Sequence, residues 1–202
     1  MVSWTRILTG RSKDPVVKTH LLIGVLFGVL WSLFTAIAIA IIRGQPGASL
    51  EEISTDALLG FTHVASAFVS ILPSAALSVM VFFFLLFLVR VLVRRERLAA
   101  IVFVAVFTVM ATLASPNPLL ALPFNLVQFT GLAFVLTRFG IVSTFVGVVV
   151  SNLLIGFPLT TDMSAWYAGP AIFAVALIAA AAVYAFRGAI AGRPFFREEL
   201  LD

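Results

Sequence analysis

The sequence predicts an all-α polytopic membrane protein with six transmembrane helices and with both termini on the cytoplasmic side. Of its 202 residues, 62% are hydrophobic and 11% are charged, whereas about 25% are charged in an ordinary soluble domain. The apolar residues form runs long enough to cross a bilayer. The basic residues lie at the ends of these runs, which is the pattern that orients membrane proteins.

Several classes of function are excluded by what the sequence lacks. It has no cysteine, and therefore no disulfide, thiolate metal site or cysteine nucleophile. It has no P-loop, zincin or glycine-rich phosphate motif. Its two histidines, His20 and His63, are separated by the first apolar run. We therefore expect no enzyme activity, no cofactor, no metal and no nucleic-acid partner.

The first predicted element is a basic cytoplasmic segment over residues 1–20. It carries four Lys or Arg side chains and a small apolar side, as expected of a segment at an anionic lipid surface. The apolar run 21–42 follows. It is longer than the apolar region of a signal peptide, which has about 7–15 residues, and we interpret it as the first span.

The second predicted span is complicated by its length. Residues 43–57 are polar, and Ser49 with Glu52 forms a capping box that predicts a short surface helix. The apolar run 58–93 would be about 54 Å long as one helix, against a hydrocarbon core of about 30 Å. We expect Pro73 to divide it into an interfacial or re-entrant helix over 58–70 and a span over about 71–93.

Four further spans are predicted towards the C-terminus. Ser-Pro-Asn-Pro at 115–118 separates the third span from the fourth, because proline cannot continue a helix. The predicted membrane domain covers residues 21–187, and residues 188–202 form a cytoplasmic tail. The expected bounds of the four spans are about 98–114, 119–137, 141–157 and 166–187.

The distribution of charge supports this count. With six spans and a cytoplasmic N-terminus, only Arg43 among the 13 Lys and Arg residues lies outside. No Asp, Glu, Lys or Arg lies inside a predicted span, which argues against proton relays and ion-coupled transport. The basic residues on the cytoplasmic side are Arg6, Arg11, Lys13, Lys18, Arg90, Arg94, Arg95, Arg97, Arg138, Arg187, Arg193 and Arg197.

Three rows of small residues at i+4 spacing predict close helix packing, because small side chains let helix backbones approach each other. We expect the row of span one to pack against the second row or against another subunit. The serines near Pro73 would also satisfy the carbonyl that this proline frees. A hydroxyl-lined path for a polar solute is the alternative. The rows are Gly24, Gly28, Ser32, Ala36 and Ala40; Thr62, Ser66, Ser70, Ser74 and Ser78; and Ser143, Gly147 and Ser151.

Polar residues inside the spans are the next candidates. Asn125 and Gln128 share one helix face and are predicted to meet Asn152, with hydrogen bonds of about 0.6 kcal/mol each. A polar binding spot is the alternative.

The loop 156–170 is predicted to be structural, with a lid or binding loop as the alternative. Trp166 and Tyr167 fit an interfacial aromatic belt. Asp162 or Ser164 would cap the last helix, and Pro170 fits its first turn.

From Arg138 onward the chain resembles a known bacterial module. The matching words are R-F-G (138–140), N-L-L-I-G-F-P-L-T-T-D-M-S-A-W-Y-A-G-P (152–170), Y-A-F-R (184–187) and G-R-P-F-F (192–196). They resemble the multi-span membrane region found C-terminal to the catalytic domain of bacterial serine/threonine protein kinases, notably of acidobacterial type. The glycine-rich loop, H-R-D and D-F-G of a kinase domain do not occur here. The resemblance implies a membrane module for anchoring or sensing.

Two functions therefore stand as hypotheses. The first is a non-enzymatic anchor, sensor or subunit of a larger complex in the bacterial cytoplasmic membrane. Its partners would be the lipid bilayer and either another membrane protein or a second copy of the chain. The alternative is a small transporter or permease-like component for a neutral or lipidic solute.

Overall fold

The computed structural model describes residues 15–43, 61–157, 159–160, 162, 164–165 and 168–190. These residues form a bundle of α-helices, two of whose connections are only two residues long. Two residues, Arg94 and Arg95, separate the second helix from the third, and Phe139 and Gly140 separate the fourth from the fifth. The helices are α1 (Pro15–Arg43), α2 (Phe61–Val93), α3 (Glu96–Leu113), α4 (Pro118–Arg138), α5 (Ile141–Gly156) and α6 (Ala168–Ile190).

Five of these helices are long and apolar enough to cross a membrane, which makes the chain a multi-pass membrane protein. The exception is α5, which has 16 residues. At 1.5 Å per residue α5 is about 24 Å long, somewhat less than the roughly 30 Å of a hydrocarbon core.

The direction of each helix follows from its contacts. Gly24 of α1 lies against Ser143 of α5, and Gly28 lies against Gly147, so residue numbers rise together and the two helices are parallel. Contacts between α1 and α4 run the opposite way, because His20 meets Phe139 while Thr35 meets Gln128. Similar pairs make α2 antiparallel to α3, and α3 antiparallel to α4. The end of α6 lies at the start of α1, where Lys18 is over the Tyr184 ring, and the start of α6 lies at the end of α5, where Phe173 meets Phe157, so α6 is antiparallel to both. Helices α1, α3 and α5 therefore run one way and α2, α4 and α6 the other.

One end of the bundle is basic as a result of this alternation. That end gathers the N-termini of α1, α3 and α5 with the C-termini of α2, α4 and α6. Arg43, at the C-terminus of α1, and Asp162 belong to the opposite end. The described Lys and Arg residues at the basic end are Lys18, Arg90, Arg94, Arg95, Arg97, Arg138 and Arg187.

The expected division of the second apolar run at Pro73 is wrong. Residues 61–93 form one helix that continues through Pro73. A proline removes one backbone donor, but interrupting the helix in hydrocarbon would leave many more backbone groups without partners. Continuing the helix is therefore the less costly arrangement. Residues 58–60 and the capping box at Ser49 and Glu52 lie outside the described residues.

The first helix begins earlier than the predicted span. Pro15 is its first residue, a position where the missing N–H costs nothing. Residues 15–20, predicted as part of the basic interfacial segment, are therefore the first turns of α1. Residues 1–14 and 191–202 lie outside the described residues.

Two apolar clusters form the core of the bundle. One lies towards the basic end and centres on Phe103 and Leu132, with the Phe82 and Phe107 rings packed edge to face at 5.2 Å. The other lies towards the opposite end and joins α2, α5 and α6 through Val64, Leu153, Phe157 and Ala174.

Candidate functional site

The most extensive helix packing in the described bundle is the seam between α1 and α5. A Cβ atom on Gly24 would stand 2.6 Å from the Ser143 carbonyl oxygen and 2.8 Å from the Val146 Cβ. Real Cβ contacts are essentially never shorter than 3.0 Å. Any side chain at Gly24 would therefore push the two backbones apart.

The same contact repeats one turn further along both helices. A Cβ on Gly28 would stand 2.5 Å from the Gly147 carbonyl oxygen and 2.7 Å from the Val150 Cβ. On the other side of the seam, a Cβ on Gly147 would stand 2.6 Å from the Phe27 ring. The two glycine-containing rows therefore pack directly on each other, as small residues allow.

The two rows differ in how far they stay buried. On α5, Ser143 and Ser151 are 0% and 5% exposed. On α1, Ser32 is 8% exposed and its hydroxyl donates to the Val29 carbonyl. Ala36 and Ala40, further along the α1 row, are exposed. The seam therefore uses the first three members of the α1 row and leaves the last two uncovered.

The row of span one was expected to pack against the serine row of α2 or against another subunit. The first of these expectations is wrong, because the serine row of α2 does not pack against α1. Ser66, Ser70 and Ser74 are exposed, and Ser78 is half-buried. The hydroxyl of Ser70 donates to the Ala67 carbonyl at 2.8 Å. The carbonyl that Pro73 frees is that of Val69, four residues earlier, so Ser70 does not satisfy it.

Asn125 and Gln128 join three helices, but not in the expected way. The Asn125 side-chain amide donates to the Thr112 hydroxyl of α3 at 3.1 Å. The Gln128 amide donates to the Thr35 hydroxyl of α1. Asn152 contacts neither of them. It lies on the face of α5 that is turned towards α2. The two threonines that accept these bonds were not among the predicted residues, since nothing in their spacing distinguishes them.

Asn152 instead lines a groove between α2 and the end of α5. Its volume is about 470 Å³, and its polar lining includes His63, Ser66 and Ser70. Val64 and Phe157, which are buried in the neighbouring apolar cluster, fix the position of both helices here. The groove lies towards the end of the bundle opposite to the basic one.

A second cavity, of about 400 Å³, lies at the basic end among α1, α2, α3 and α4. Arg90, Glu96 and Arg138 line it together with apolar side chains of α2. Arg90 donates to the Glu96 carboxylate at 3.3 Å, and both side chains are more than half exposed. Gly140 at its rim has a φ of +85°, a backbone conformation that favours glycine.

The loop before α6 is organised by Asp162. Its carboxylate accepts hydrogen bonds from the Ser164 backbone N–H at 2.9 Å and from the Ser164 hydroxyl at 2.6 Å. These bonds lower the pKa of Asp162 below its ordinary value of 3.8. Asp162 therefore closes a turn ahead of α6 and makes no described bond to its first turn. Pro170 lies in the first turn of α6, and Trp166 and Tyr167 lie outside the described residues.

The described residues contain no group of three His, Cys, Asp or Glu side chains that could hold a metal ion. Comparisons with protein-family models, with curated proteins and with solved structures gave no match. The resemblance to the membrane region of bacterial kinases therefore stays a prediction.

Proposed function

We propose that the chain is a non-enzymatic subunit, anchor or sensor in a larger complex of the bacterial cytoplasmic membrane. Its partner in this proposal is a transmembrane helix, either of another membrane protein or of a second copy. The observation that carries the proposal is the contrast between two rows of small residues. The first three members of the α1 row are covered by α5 in the same chain, whereas Ser66, Ser70 and Ser74 of the α2 row are exposed.

The exposure of α2 supports this choice of surface. In the most apolar 18-residue stretch of α2, 11% of the residues are buried inside the bundle, compared with 28% in the corresponding stretches of α1 and α4. Lipid-facing positions have no need of small residues, because a larger apolar side chain is equally soluble in hydrocarbon. Serines at Ser66, Ser70 and Ser74 are better explained by a helix that packs closely on them.

Six spans with a cytoplasmic N-terminus are part of the proposal. The alternating directions of the helices support counting α5 as a span despite its 16 residues. The basic end would face the cytoplasm, because Lys and Arg residues are retained on that side of a membrane.

The experiment compares two substitutions on α2 in protein extracted from native membranes with mild detergent. Ser70→Phe blocks the serine row, whereas Val69→Phe adds bulk at a neighbouring position that is 63% exposed and outside the row. We expect Ser70→Phe to abolish either co-purification of a stoichiometric partner or self-association, without a change in the melting temperature. Val69→Phe should change neither the association nor the melting temperature. A monomeric wild-type chain without any stoichiometric partner would contradict the proposal.

A transport function for a neutral or lipidic solute is the second candidate. The groove that contains His63, Ser66 and Asn152 favours it, since polar side chains there face a space of about 470 Å³. Retention of a small solute through purification, and its loss in Asn152→Leu, would favour transport. Purified wild-type protein without any bound solute would count against it.

A further inference from the structure

The cavity at the basic end has properties that positive-inside orientation alone does not require. Basic residues that only orient a helix need to reach water or lipid headgroups, and they do so at any exposed position. Here two arginines from different helices, Arg90 of α2 and Arg138 of α4, line one concave space of about 400 Å³. This volume lies within the roughly 300–1,000 Å³ of small-molecule sites.

The lining of this cavity is divided by polarity. An apolar wall is formed by three side chains of α2: Phe83 and, one turn later, Leu86 and Phe87. Arg90 follows them along the same helix towards the basic end. A molecule that fills the cavity would therefore have an apolar part directed into the bundle and a charged part at the end where lipid headgroups lie.

The charge of the lining favours an anion. Arg90 and Arg138 contribute two positive charges against the one negative charge of Glu96. Glu96 pairs with Arg90, and no described carboxylate pairs with Arg138. Arg94 and Arg95, in the connection between α2 and α3, add positive charge close by. An unpaired guanidinium presents a fork of N–H donors that matches two oxygens of a phosphate.

We propose that this cavity binds an anionic phospholipid of the cytoplasmic leaflet. Arg138 and Arg90 bind the headgroup phosphate, and the first part of an acyl chain lies along Phe83, Leu86 and Phe87. Basic pockets between transmembrane helices on the cytoplasmic side are suited to such headgroups. A free phosphate ion shares the headgroup chemistry, but it would leave the apolar wall without a partner.

Glu96 competes with the phosphate in this arrangement. Its carboxylate holds Arg90 in the absence of lipid, at an N–O distance of 3.3 Å and with both side chains exposed enough for the pair to be weak. Binding transfers Arg90 from the carboxylate to the phosphate and brings a second negative charge near Glu96. Removing the charge of Glu96 should therefore strengthen binding, whereas removing the charge of Arg138 should weaken it.

The test is a binding titration on the purified full chain in neutral detergent, with short-chain phosphatidylglycerol as the probe. Short-chain phosphatidylcholine and inorganic phosphate are titrated in parallel. We expect phosphatidylglycerol to bind most tightly. Arg138→Gln and Arg90→Gln should each weaken it by roughly tenfold or more, because each loses charge-assisted hydrogen bonds. Glu96→Gln should bind it more tightly than wild type.

Arg97→Gln is the matched control. It removes the same charge from an exposed position beside Glu96, but Arg97 does not line the cavity. The affinity of Arg97→Gln for phosphatidylglycerol should stay within about threefold of the wild-type value, because exposed charges are screened by water and salt. Each variant is first melted without lipid, and two arginine variants are used so that a folding defect in one leaves the other informative.

Three results would overturn the proposal. Equal loss of affinity in Arg97→Gln and Arg138→Gln would mean that diffuse surface charge attracts the lipid. Equal affinity for the two phospholipids would exclude recognition of an anionic headgroup. Binding of inorganic phosphate as tight as that of phosphatidylglycerol would assign the cavity to the free ion. None of these results bears on the α2 surface, which is tested by co-purification.

Discussion

Gly28 of α1 lies so close to Gly147 of α5 that a Cβ atom on Gly28 would stand 2.5 Å from the Gly147 carbonyl oxygen. The contact joins two helices that are far apart in the sequence and run in the same direction. Because α5 is short and lies between α1, α2 and α6, this seam fixes where its neighbours can pack. The position of the exposed α2 surface therefore depends on two glycines that face each other.

The first prediction concerns this contact. Gly28→Ala should lower the stability of the protein by about 1–3 kcal/mol, because the added methyl group overpacks the seam against backbone atoms that cannot move aside. Thermal unfolding in detergent measures the effect. Gly131→Ala is the matched control, since a Cβ there would meet only Phe27 at 3.5 Å. It should leave the melting temperature unchanged or raise it, because alanine favours the helix. Equal melting temperatures for Gly28→Ala and Gly131→Ala would contradict the close packing of α1 against α5.

A second prediction concerns the hydrogen bond between Asn125 and Thr112. A double-mutant cycle with Asn125→Leu and Thr112→Val should give a coupling energy of about 0.6 kcal/mol, typical of such bonds between transmembrane helices. The control cycle pairs Asn125→Leu with Asn152→Leu. It should show no coupling, because Asn152 faces the groove on α2. Coupling between Asn125 and Asn152, and none between Asn125 and Thr112, would instead support the contact with Asn152 that the sequence predicts.

The third prediction concerns pH and the turn at Asp162. Its pKa is lower in the folded protein than the ordinary 3.8, chiefly because of the Ser164 hydroxyl. The turn therefore gains stability at pH values above the ordinary pKa and loses it as the pH falls through the lowered one. Ser164→Ala should raise the pKa of Asp162, as followed by NMR of its carboxyl carbon.

Thr160→Val is the control for this titration. The Thr160 hydroxyl accepts a hydrogen bond from the Asp162 backbone N–H and makes no described bond to the carboxylate. Its replacement should leave the pKa of Asp162 unchanged. A larger shift in Thr160→Val than in Ser164→Ala would show that another group controls this carboxylate.

The fourth prediction concerns orientation. The chain has no cysteine, so single cysteines introduced at Glu96 and Ser164 are unique labels. Glu96 begins α3 at the basic end, and Ser164 belongs to the loop at the other end. In right-side-out membranes a membrane-impermeant thiol reagent should label Ser164→Cys, and it should label Glu96→Cys only after permeabilisation. Labelling of both from one face would exclude six spans.

The helices could be predicted from the sequence because long apolar runs in lipid have few structures available to them. Where one apolar run is divided into separate helices could not be predicted, as Pro73 shows. The usual effect of proline on a helix in water predicts a break there, whereas in α2 the remaining backbone hydrogen bonds keep the helix intact.

The pairing of the helices also could not be predicted. Three rows of small residues occur in the sequence, and any two of them could have packed together. Which pair forms the seam depends on how six helices are arranged, and that arrangement is set by contacts such as Phe82 with Phe107, which have no sequence signature. The same reason explains why Asn125 meets Thr112 and not Asn152.

The most direct test of the account is site-specific photo-crosslinking in native membranes, with the photoreactive residue at Ser70 on α2 or at Ala36 on α1. Both positions are exposed and both belong to rows of small residues. We predict a single protein adduct of defined mass from Ser70 and none from Ala36. An adduct from Ala36 but none from Ser70 would place the partner on α1 and would contradict the account.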